Sequence, residues 1–178
     1  MTDLKSKEIR SEITSEGKLN LSIVTSDVPT PGDDDVLIKV EASPINPSDL
    51  GLLISFAADL DSISSQGSGE DTVTTMGIHP GLMQSMKPRI DKSMKVGNEG
   101  GGVIVDAGKN VKNLIGKTVG VAGGAMYSQY RCLPAMSCLV MNEGTTSVEA
   151  ASSFVNPLTA LGFTETMKLE NPVSYTHL

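Results

Sequence analysis

The sequence contains few of the residues on which several classes of protein depend. Tryptophan is absent and aromatic residues make up only 3% of the chain, so the core must consist mainly of Val, Ile, Leu, Met and Ala. The two cysteines, Cys132 and Cys138, are too few for a disulfide framework or a four-cysteine zinc site. The two histidines, His79 and His177, have no ligand-like spacing to either cysteine. We therefore expect two buried free thiols and no metal site in this segment.

Positive charge and long apolar runs are also scarce. The formal net charge is -7, whereas nucleic acids and anionic membranes require clustered Lys and Arg, so we expect neither as a partner. No apolar run approaches the length that spans a bilayer. The first residues lack the apolar stretch of a signal peptide and include Asp3, which is atypical of a transit peptide. The sequence predicts a cytoplasmic protein.

Short strands dominate what is present. Apolar and polar residues alternate between Leu19 and Ile23, and Gly17 separates this run from another between Glu8 and Ile13. The run from Val36 to Ala42 is rich in β-branched residues and is the clearest strand of the first half. Further short strands, separated by glycines, are predicted after Val96. Strands of this kind without long helices between them indicate a mainly β fold, a small barrel or sandwich.

Residues 55–95 differ in composition from the rest. The stretch from Asp59 to Asp71 is acidic and rich in Ser and Gly, which predicts a mobile surface insertion. A methionine-rich stretch follows, and we expect a loosely helical flap in which adaptable side chains fill gaps rather than grip a ligand. Its members are Met76, Met83, Met86 and Met94.

Two Asn-Pro pairs predict helix starts. Asn46 can cap the amides of a short helix, with Pro47 at its first position and Asp49 in its first turn. Thr146 and Glu149 have the spacing of a capping box, and the Asn156–Pro157 pair should end that helix and cap a second one through Lys168. Free amides at such helix starts can host a carboxylate or a phosphate.

The glycine clusters do not match a dinucleotide-binding fingerprint. That fingerprint follows a strand and opens a helix, so that the pyrophosphate meets the helix N-terminus. The cluster from Gly97 to Gly102 precedes a predicted strand instead, and Gly120, Gly123 and Gly124 lack the spacing. We expect the fingerprint to lie beyond Glu170.

The chain resembles the medium-chain dehydrogenase/reductase superfamily, most closely its zinc-independent quinone-reductase-like and enoyl-reductase-like branches. Four stretches carry the resemblance in the order of the family, 36–49, 96–105, 116–120 and 150–160. The resemblance implies a GroES-like β-barrel at 1–145, with the insertion at about 55–95, and the start of a truncated Rossmann domain at 146–171. Residues 172–178 resemble a translated sequencing adapter, so we expect them to be foreign to the fold.

The resemblance also implies an activity. It implies hydride transfer from NADP, with NAD as the other option, to a quinone, enal or enoyl-type small molecule, in a full-length homo-oligomer of which this fragment alone is inactive. The zinc-ligand positions of the related alcohol dehydrogenases are occupied by Asn46 and Asn98, and no cysteine lies between Ala150 and Gly162, which implies an enzyme without zinc.

Four residues are therefore candidates for the site. Asn46 and Asn98 are catalytic candidates that line the cleft and polarise the substrate oxygen, and Thr159 and Asn156 are cofactor-binding candidates. Each also has a structural interpretation: Asn46 and Asn156 as helix caps, Asn98 in a turn, and Thr159 as an ordinary helix residue. The alternative function is a standalone GroES-like barrel that acts as a non-catalytic binding or assembly module.

Overall fold

The computed structural model describes residues 4–170, so the expected tail at 172–178 and His177 lie outside it. Within these bounds the chain is mainly β, as the alternation predicts. The ten strands are β1 (Lys5–Ile13), β2 (Lys18–Asp27), β3 (Asp35–Ala42), β4 (Ala58–Gln66), β5 (Val73–Ile78), β6 (Met94–Lys95), β7 (Glu99–Ala107), β8 (Thr118–Ala122), β9 (Tyr130–Pro134) and β10 (Cys138–Val140). The four α-helices are α1 (Pro47–Leu53), α2 (Met83–Met86), α3 (Ser147–Ala151) and α4 (Val155–Glu170).

The strands form two antiparallel five-stranded sheets. The first has the order β4-β5-β2-β1-β6 and the second the order β10-β8-β7-β3-β9. The first sheet is built on the β1–β2 hairpin, in which Ile13 pairs with Leu19 and Ile9 with Ile23. Each sheet has its own core, one around Ile13, Leu19 and Met76, the other around Val36, Ile38 and Ile104.

A short segment before β9 joins the two sheets. The Ile9 N–H donates to the Tyr127 carbonyl at 2.9 Å, and the Gln129 N–H donates to the Lys7 carbonyl at 2.9 Å. On the other side, the Val40 N–H of β3 donates to the Gln129 carbonyl at 2.9 Å. Residues 127–129 thus connect β1 to β3, which curls the assembly towards a half-open barrel.

The polar insertion takes part in the first sheet. β4 forms the edge of that sheet against β5, and most of its side chains are exposed, as a surface segment requires. The methionine-rich flap is only partly helical. Met83 and Met86 lie in α2, whereas Met76 is buried in β5 and Met94 lies in β6, so the helical prediction for that stretch was too broad.

Three glycines of the predicted cluster lie inside a strand rather than before it. Gly100, Gly101 and Gly102 belong to β7. A Cβ on Gly101 would lie 2.3 Å from the Ser147 carbonyl oxygen of α3, a distance that real Cβ atoms do not show. The glycines therefore allow α3 to pack directly on the sheet. Between residues 4 and 170 no helix is long and apolar enough to span a bilayer.

Candidate active site

A buried carboxylate lies at the junction of β7, α1 and α4. Glu99 is the first residue of β7 and is fully buried, with 0% of its surface exposed. Its Oε1 accepts a hydrogen bond from Asn46 Nδ2 at 2.8 Å. Its Oε2 accepts the backbone N–H groups of Phe154 at 3.1 Å and Val155 at 2.9 Å. Three N–H groups therefore balance a charge that would be costly to bury alone.

These contacts correct the predicted start of α4. We expected Asn156 to cap the helix, but α4 begins at Val155, so Asn156 lies inside its first turn. The capping group is the Glu99 carboxylate, which binds the free amides at the positive end of the helix. The expectation that these amides host a carboxylate is confirmed, although the carboxylate comes from the barrel.

Asn46 connects Glu99 to α4 through its side chain. It is the residue before α1 and is 96% buried, with an exposed fraction of 4%. While Nδ2 donates to Glu99, the Oδ1 atom accepts a hydrogen bond from Asn156 Nδ2 at 3.2 Å. Two of the four predicted residues are therefore in direct contact. The Asn46 side chain faces the junction, and this position is not explained by helix capping alone.

Asp49 connects Asn46 to Asn98. Its Oδ2 accepts the backbone N–H of Asn46 at 2.8 Å, and its Oδ1 accepts the backbone N–H of Asn98 at 2.7 Å. The Asn98 side chain then donates from Nδ2 to Ser48 Oγ at 3.0 Å. Asp49 is buried, whereas Ser48 is exposed and Asn98 half-buried, so the cluster reaches the surface at Ser48.

The backbone of Asn98 also serves the turn that we predicted for it. Its carbonyl accepts the N–H groups of Gly123 and Gly124, at 3.1 and 3.2 Å. The preceding Gly97 has φ +94°, and a Cβ there would lie 2.6 Å from the Tyr127 nitrogen. Only glycine adopts this φ readily and has no Cβ that would clash with Tyr127. The structure thus confirms the turn role of Asn98, and its catalytic role stays a prediction.

Tyr127 lies near Asp49, close enough for the two side chains to interact. Its hydroxyl donates to the Pro44 carbonyl at 3.0 Å. Burial raises the pKa of Tyr127 to about 12, and the negative charge of Asp49 acts in the same direction. The phenol therefore stays protonated at neutral pH and is a poorer acid than an exposed tyrosine.

Thr159 lies one turn after Asn156 on α4. Its side chain is exposed, and Oγ1 donates to the Val155 carbonyl of its own helix at 2.7 Å. Asn156 is exposed as well, although its Nδ2 donates inward to Asn46. The structure thus brings Asn46, Asn98 and Asn156 into one network, whereas the Thr159 side chain forms its hydrogen bond within α4.

The network contains carboxylates and amides rather than soft metal ligands. Among residues 4–170, no group of three or more His, Cys, Asp or Glu side chains is arranged to hold a metal ion. Both cysteines are partly buried, and burial raises the pKa of each thiol, that of Cys138 to about 11. These thiols are protonated at neutral pH and are weak nucleophiles.

Comparisons with known proteins identify the fold. No family model matches the sequence, and no curated protein matches it either. Among solved structures, a Mesorhizobium loti protein to which NADPH:quinone reductase activity is ascribed superposes with a TM-score of 0.62 at 24% identity, over 96% of this chain and 46% of its own. The chain has that fold.

Two further structures agree. A mycobacterial protein solved in complex with NADPH gives a TM-score of 0.58 at 20% identity, over 95% of this chain and 42% of its own. The CurK enoyl reductase gives 0.57 at 17% identity, over 87% and 41%. The chain therefore spans less than half the length of each of these three proteins.

Three members of the network were not predicted from the sequence to be site residues. They are Glu99, Asp49 and Ser48. Asp49 was recognised only as a charge in a first helical turn, and Glu99 only as a neighbour of Asn98. A signal was nevertheless present, because each acidic residue stands within three positions of a predicted asparagine. Their partners, however, lie about fifty residues away in sequence, beyond the range of local patterns.

Proposed function

We propose that this chain forms the substrate-binding part of a zinc-independent, NAD(P)H-dependent oxidoreductase that reduces a quinone, an enal or an enoyl compound. The observation that carries the proposal is the buried Glu99–Asn46–Asn156 network at the junction of the barrel and α4. It lies in a chain whose fold is shared with proteins named as quinone and enoyl reductases. An oriented amide next to exposed polar groups is suited to holding a carbonyl substrate.

The amide of Asn46 is the group that we assign to the substrate oxygen. An amide nitrogen carries two hydrogens, and the bond to Glu99 needs only one of them. The second N–H is held in a fixed direction because the carboxylate and Asn156 fix the plane of the amide. A donor fixed in this way can stabilise negative charge that develops on a carbonyl oxygen without reorganising during the reaction.

In the proposed reaction, Ser48 donates the proton and Asn98 orients it. Ser48 Oγ accepts a hydrogen bond from Asn98 Nδ2, which leaves the hydroxyl hydrogen of Ser48 available to a further acceptor. Ser48 is exposed at the edge of the network, where its hydroxyl could pass its proton to a reduced substrate while taking another from solvent water. In this role Asn98 is a positioning residue, since it orients the hydroxyl rather than touching the substrate.

The residues at the start of α4 fit a nicotinamide cofactor. Asn156 and Thr159 present an amide and a hydroxyl, both exposed and one helical turn apart, which suits the carboxamide of a nicotinamide ring. When bound, NADPH or NADH would supply the hydride. Thiolate and imidazole, which zinc prefers, are replaced by amides at the Asn46 and Asn98 positions, and this donor set supports a zinc-independent reaction.

We further propose that α3 and α4 begin a nucleotide-binding Rossmann domain at residue 146, after a GroES-like barrel at 1–145. Several large apolar side chains of α4 are exposed, as expected of a helix that packs against further structure. They are Leu158, Leu161, Phe163, Met167 and Leu169. On this proposal the 178-residue chain alone binds NADPH weakly, and catalysis and homo-oligomer formation belong to a longer protein.

The test begins with sequencing the transcript beyond Glu170 and expressing the continuous protein. Oxidation of NADPH is then followed with a quinone, an enal and an enoyl thioester. We expect Asn46→Ala to lower kcat/KM about 100-fold, the usual effect of removing one oxyanion donor. Asn142→Ala, at an exposed asparagine outside the network, is the matched control and should retain full activity.

Two results would contradict the proposal. One is a transcript that continues without a β-strand followed by a glycine-rich turn. The other is a continuous protein that oxidises no NADPH with any of the three substrates. Either result would favour the alternative, a GroES-like barrel that acts as a binding module without chemistry.

A further inference from the structure

One face of the β1–β2 hairpin is buried in the core at one end and exposed to solvent at the other. Side chains on this face alternate along each strand, so Ile13 and Leu19 share it with Ile9 and Ile23. Ile13 and Leu19 are fully buried, whereas Ile9 and Ile23, paired directly opposite one another, are 36% and 41% exposed. An open pair of isoleucines on a strand face is an uncovered apolar surface, the kind that marks a binding site.

This surface is the floor of a continuous depression. Three adjoining hollows, with volumes of about 390, 230 and 280 Å³, all have Ile9 in their walls. Leu53 of α1 connects the first to the third, and Ile23 connects the second to the third. We call the whole depression the apolar groove. It runs from Tyr127 across β1 and β2 to Thr74 of β5.

The inner end of the apolar groove is lined by the residue that precedes Asn46 in sequence. Its walls there include Ser43, Ile45 and Tyr127. Ile45 directly precedes Asn46, and the Tyr127 hydroxyl binds the Pro44 carbonyl in the same segment. A molecule with its reactive carbonyl near Asn46 could therefore extend into the groove without leaving the protein surface.

The chemistry of the groove selects the occupant. Its floor consists of Ile9, Leu21 and Ile23, which offer contact but no hydrogen bonds to a ligand, and the polar side chains of Ser22, Thr72 and Thr74 lie around them. At the outer rim, Lys7 forms an ion pair with Glu70, so its positive charge is already balanced. The path crosses β1, β2 and β5, two inter-strand spacings or about 10 Å. These features suit a flexible hydrocarbon chain better than a compact or anionic group.

We propose that the apolar groove binds the hydrocarbon tail of the substrate, which is therefore a carbonyl compound with an extended acyl or prenyl chain. This inference rests on the proposed function for the position of the carbonyl head. The groove itself belongs to the barrel, so tail binding requires neither cofactor nor turnover. The two can therefore be tested separately.

The experiment measures binding of non-reducible probes to the purified 178-residue chain in the absence of NADPH. The acyl arm uses butanoyl, octanoyl and dodecanoyl thioesters of N-acetylcysteamine, and the prenyl arm uses methoxybenzenes with methyl, prenyl and geranyl substituents. Affinity should rise with tail length, by up to about fourfold for each added CH₂ that is buried. The gain should level off once the tail exceeds the groove.

Two variants on the same strand form a matched pair. Ile23→Thr places a hydroxyl in the groove and should weaken dodecanoyl or geranyl binding about tenfold, with no effect on the short probes. Val24→Thr alters the neighbouring residue, which is 37% exposed on the opposite face of β2, and should change nothing. Circular dichroism checks that both variants keep the strand content of the parent chain.

The outcomes separate the proposals. Affinity that does not depend on tail length, or equal losses in Ile23→Thr and Val24→Thr, would overturn the groove assignment. So would a dimer in sedimentation experiments that Ile23→Thr dissociates, since the groove would then be an interface between copies. Length-dependent binding in either arm supports the assignment and identifies the tail. It would persist even if no reductase activity were found, because the probes cannot be reduced.

Discussion

At the scale of single residues, Glu99 fixes the positions of Asn46 and of the start of α4. Its carboxylate accepts from one side-chain amide and two backbone amides, and each such bond to a charged group contributes about 1.5–3 kcal/mol. Part of that contribution offsets the cost of removing the charge from water. The result is one buried residue on which Asn46, the start of α4 and the orientation of Asn156 all depend.

The substitution Glu99→Gln tests this dependence. A glutamine amide would point its own NH₂ at an N–H donor, either that of Asn46 or those of Phe154 and Val155. We expect a loss of about 2–3 kcal/mol in the free energy of unfolding, measured with urea. Glu149→Gln, at the exposed start of α3, is the control and should lower the free energy of unfolding by less. Equal losses in the two variants would show that the stabilisation by Glu99 does not depend on its burial.

At the scale of secondary-structure elements, the position of α3 depends on glycine. The helix packs on β7 and β8, where Gly101 and Gly120 leave room for its backbone. A Cβ on Gly101 would lie 2.3 Å from the Ser147 oxygen and 2.6 Å from the Ala151 nitrogen, and both obstacles are backbone atoms. Neither can rotate away, so the helix itself would have to shift.

We therefore expect Gly101→Ala to destabilise the fold by at least about 2 kcal/mol, since overpacking against rigid backbone has costs of that size. Gly123→Ala is the control. Its Cβ would meet only Val121 Cγ1 at 4.0 Å, an ordinary contact, and the free energy of unfolding should stay within about 0.5 kcal/mol of the parent. Thermal unfolding followed by circular dichroism measures both. A Gly101→Ala protein as stable as the control would contradict the packing argument.

The elements also show which predictions a sequence can support. The β1–β2 hairpin and β3 follow from alternation and β-branched residues, both of which are local. The start of α4 does not, because its cap comes from Glu99, 55 and 56 residues before the amides that it binds. β4 was missed as a strand for a related reason. Its Ser-rich composition does not predict a strand, and β4 forms because it pairs with β5.

At the scale of the whole molecule, the two sheets depend on residues 127–129 for their connection. Gln129 is the central link, since its N–H binds the Lys7 carbonyl, its carbonyl binds the Val40 N–H, and its side-chain oxygen accepts the Lys7 N–H at 3.0 Å. One residue therefore bonds to both β1 and β3. Fold class was predictable from composition, whereas this closure was not, because it joins segments more than 80 residues apart.

The substitution Gln129→Pro removes the N–H and leaves the Lys7 carbonyl without that donor. We expect a loss of about 2–3 kcal/mol in the free energy of unfolding and faster amide hydrogen exchange at Ile9 and Val40. Gln129→Glu keeps the N–H and a side-chain acceptor, and should exchange like the parent chain. Unchanged exchange in the proline variant would mean that the sheets are held together by other contacts.

The capping of α4 by Glu99 has a consequence for protein engineering. A chimera that joins the barrel of another protein of this fold to α4 of this chain at residues 150–154 separates α4 from the residue that caps it. Recombination should succeed when the parent that supplies the barrel carries a glutamate at the position of Glu99 and fail when it does not, however well the flanking sequences match. The natural crossover point therefore lies before Glu99, so that β7, α3 and α4 are inherited as a single block.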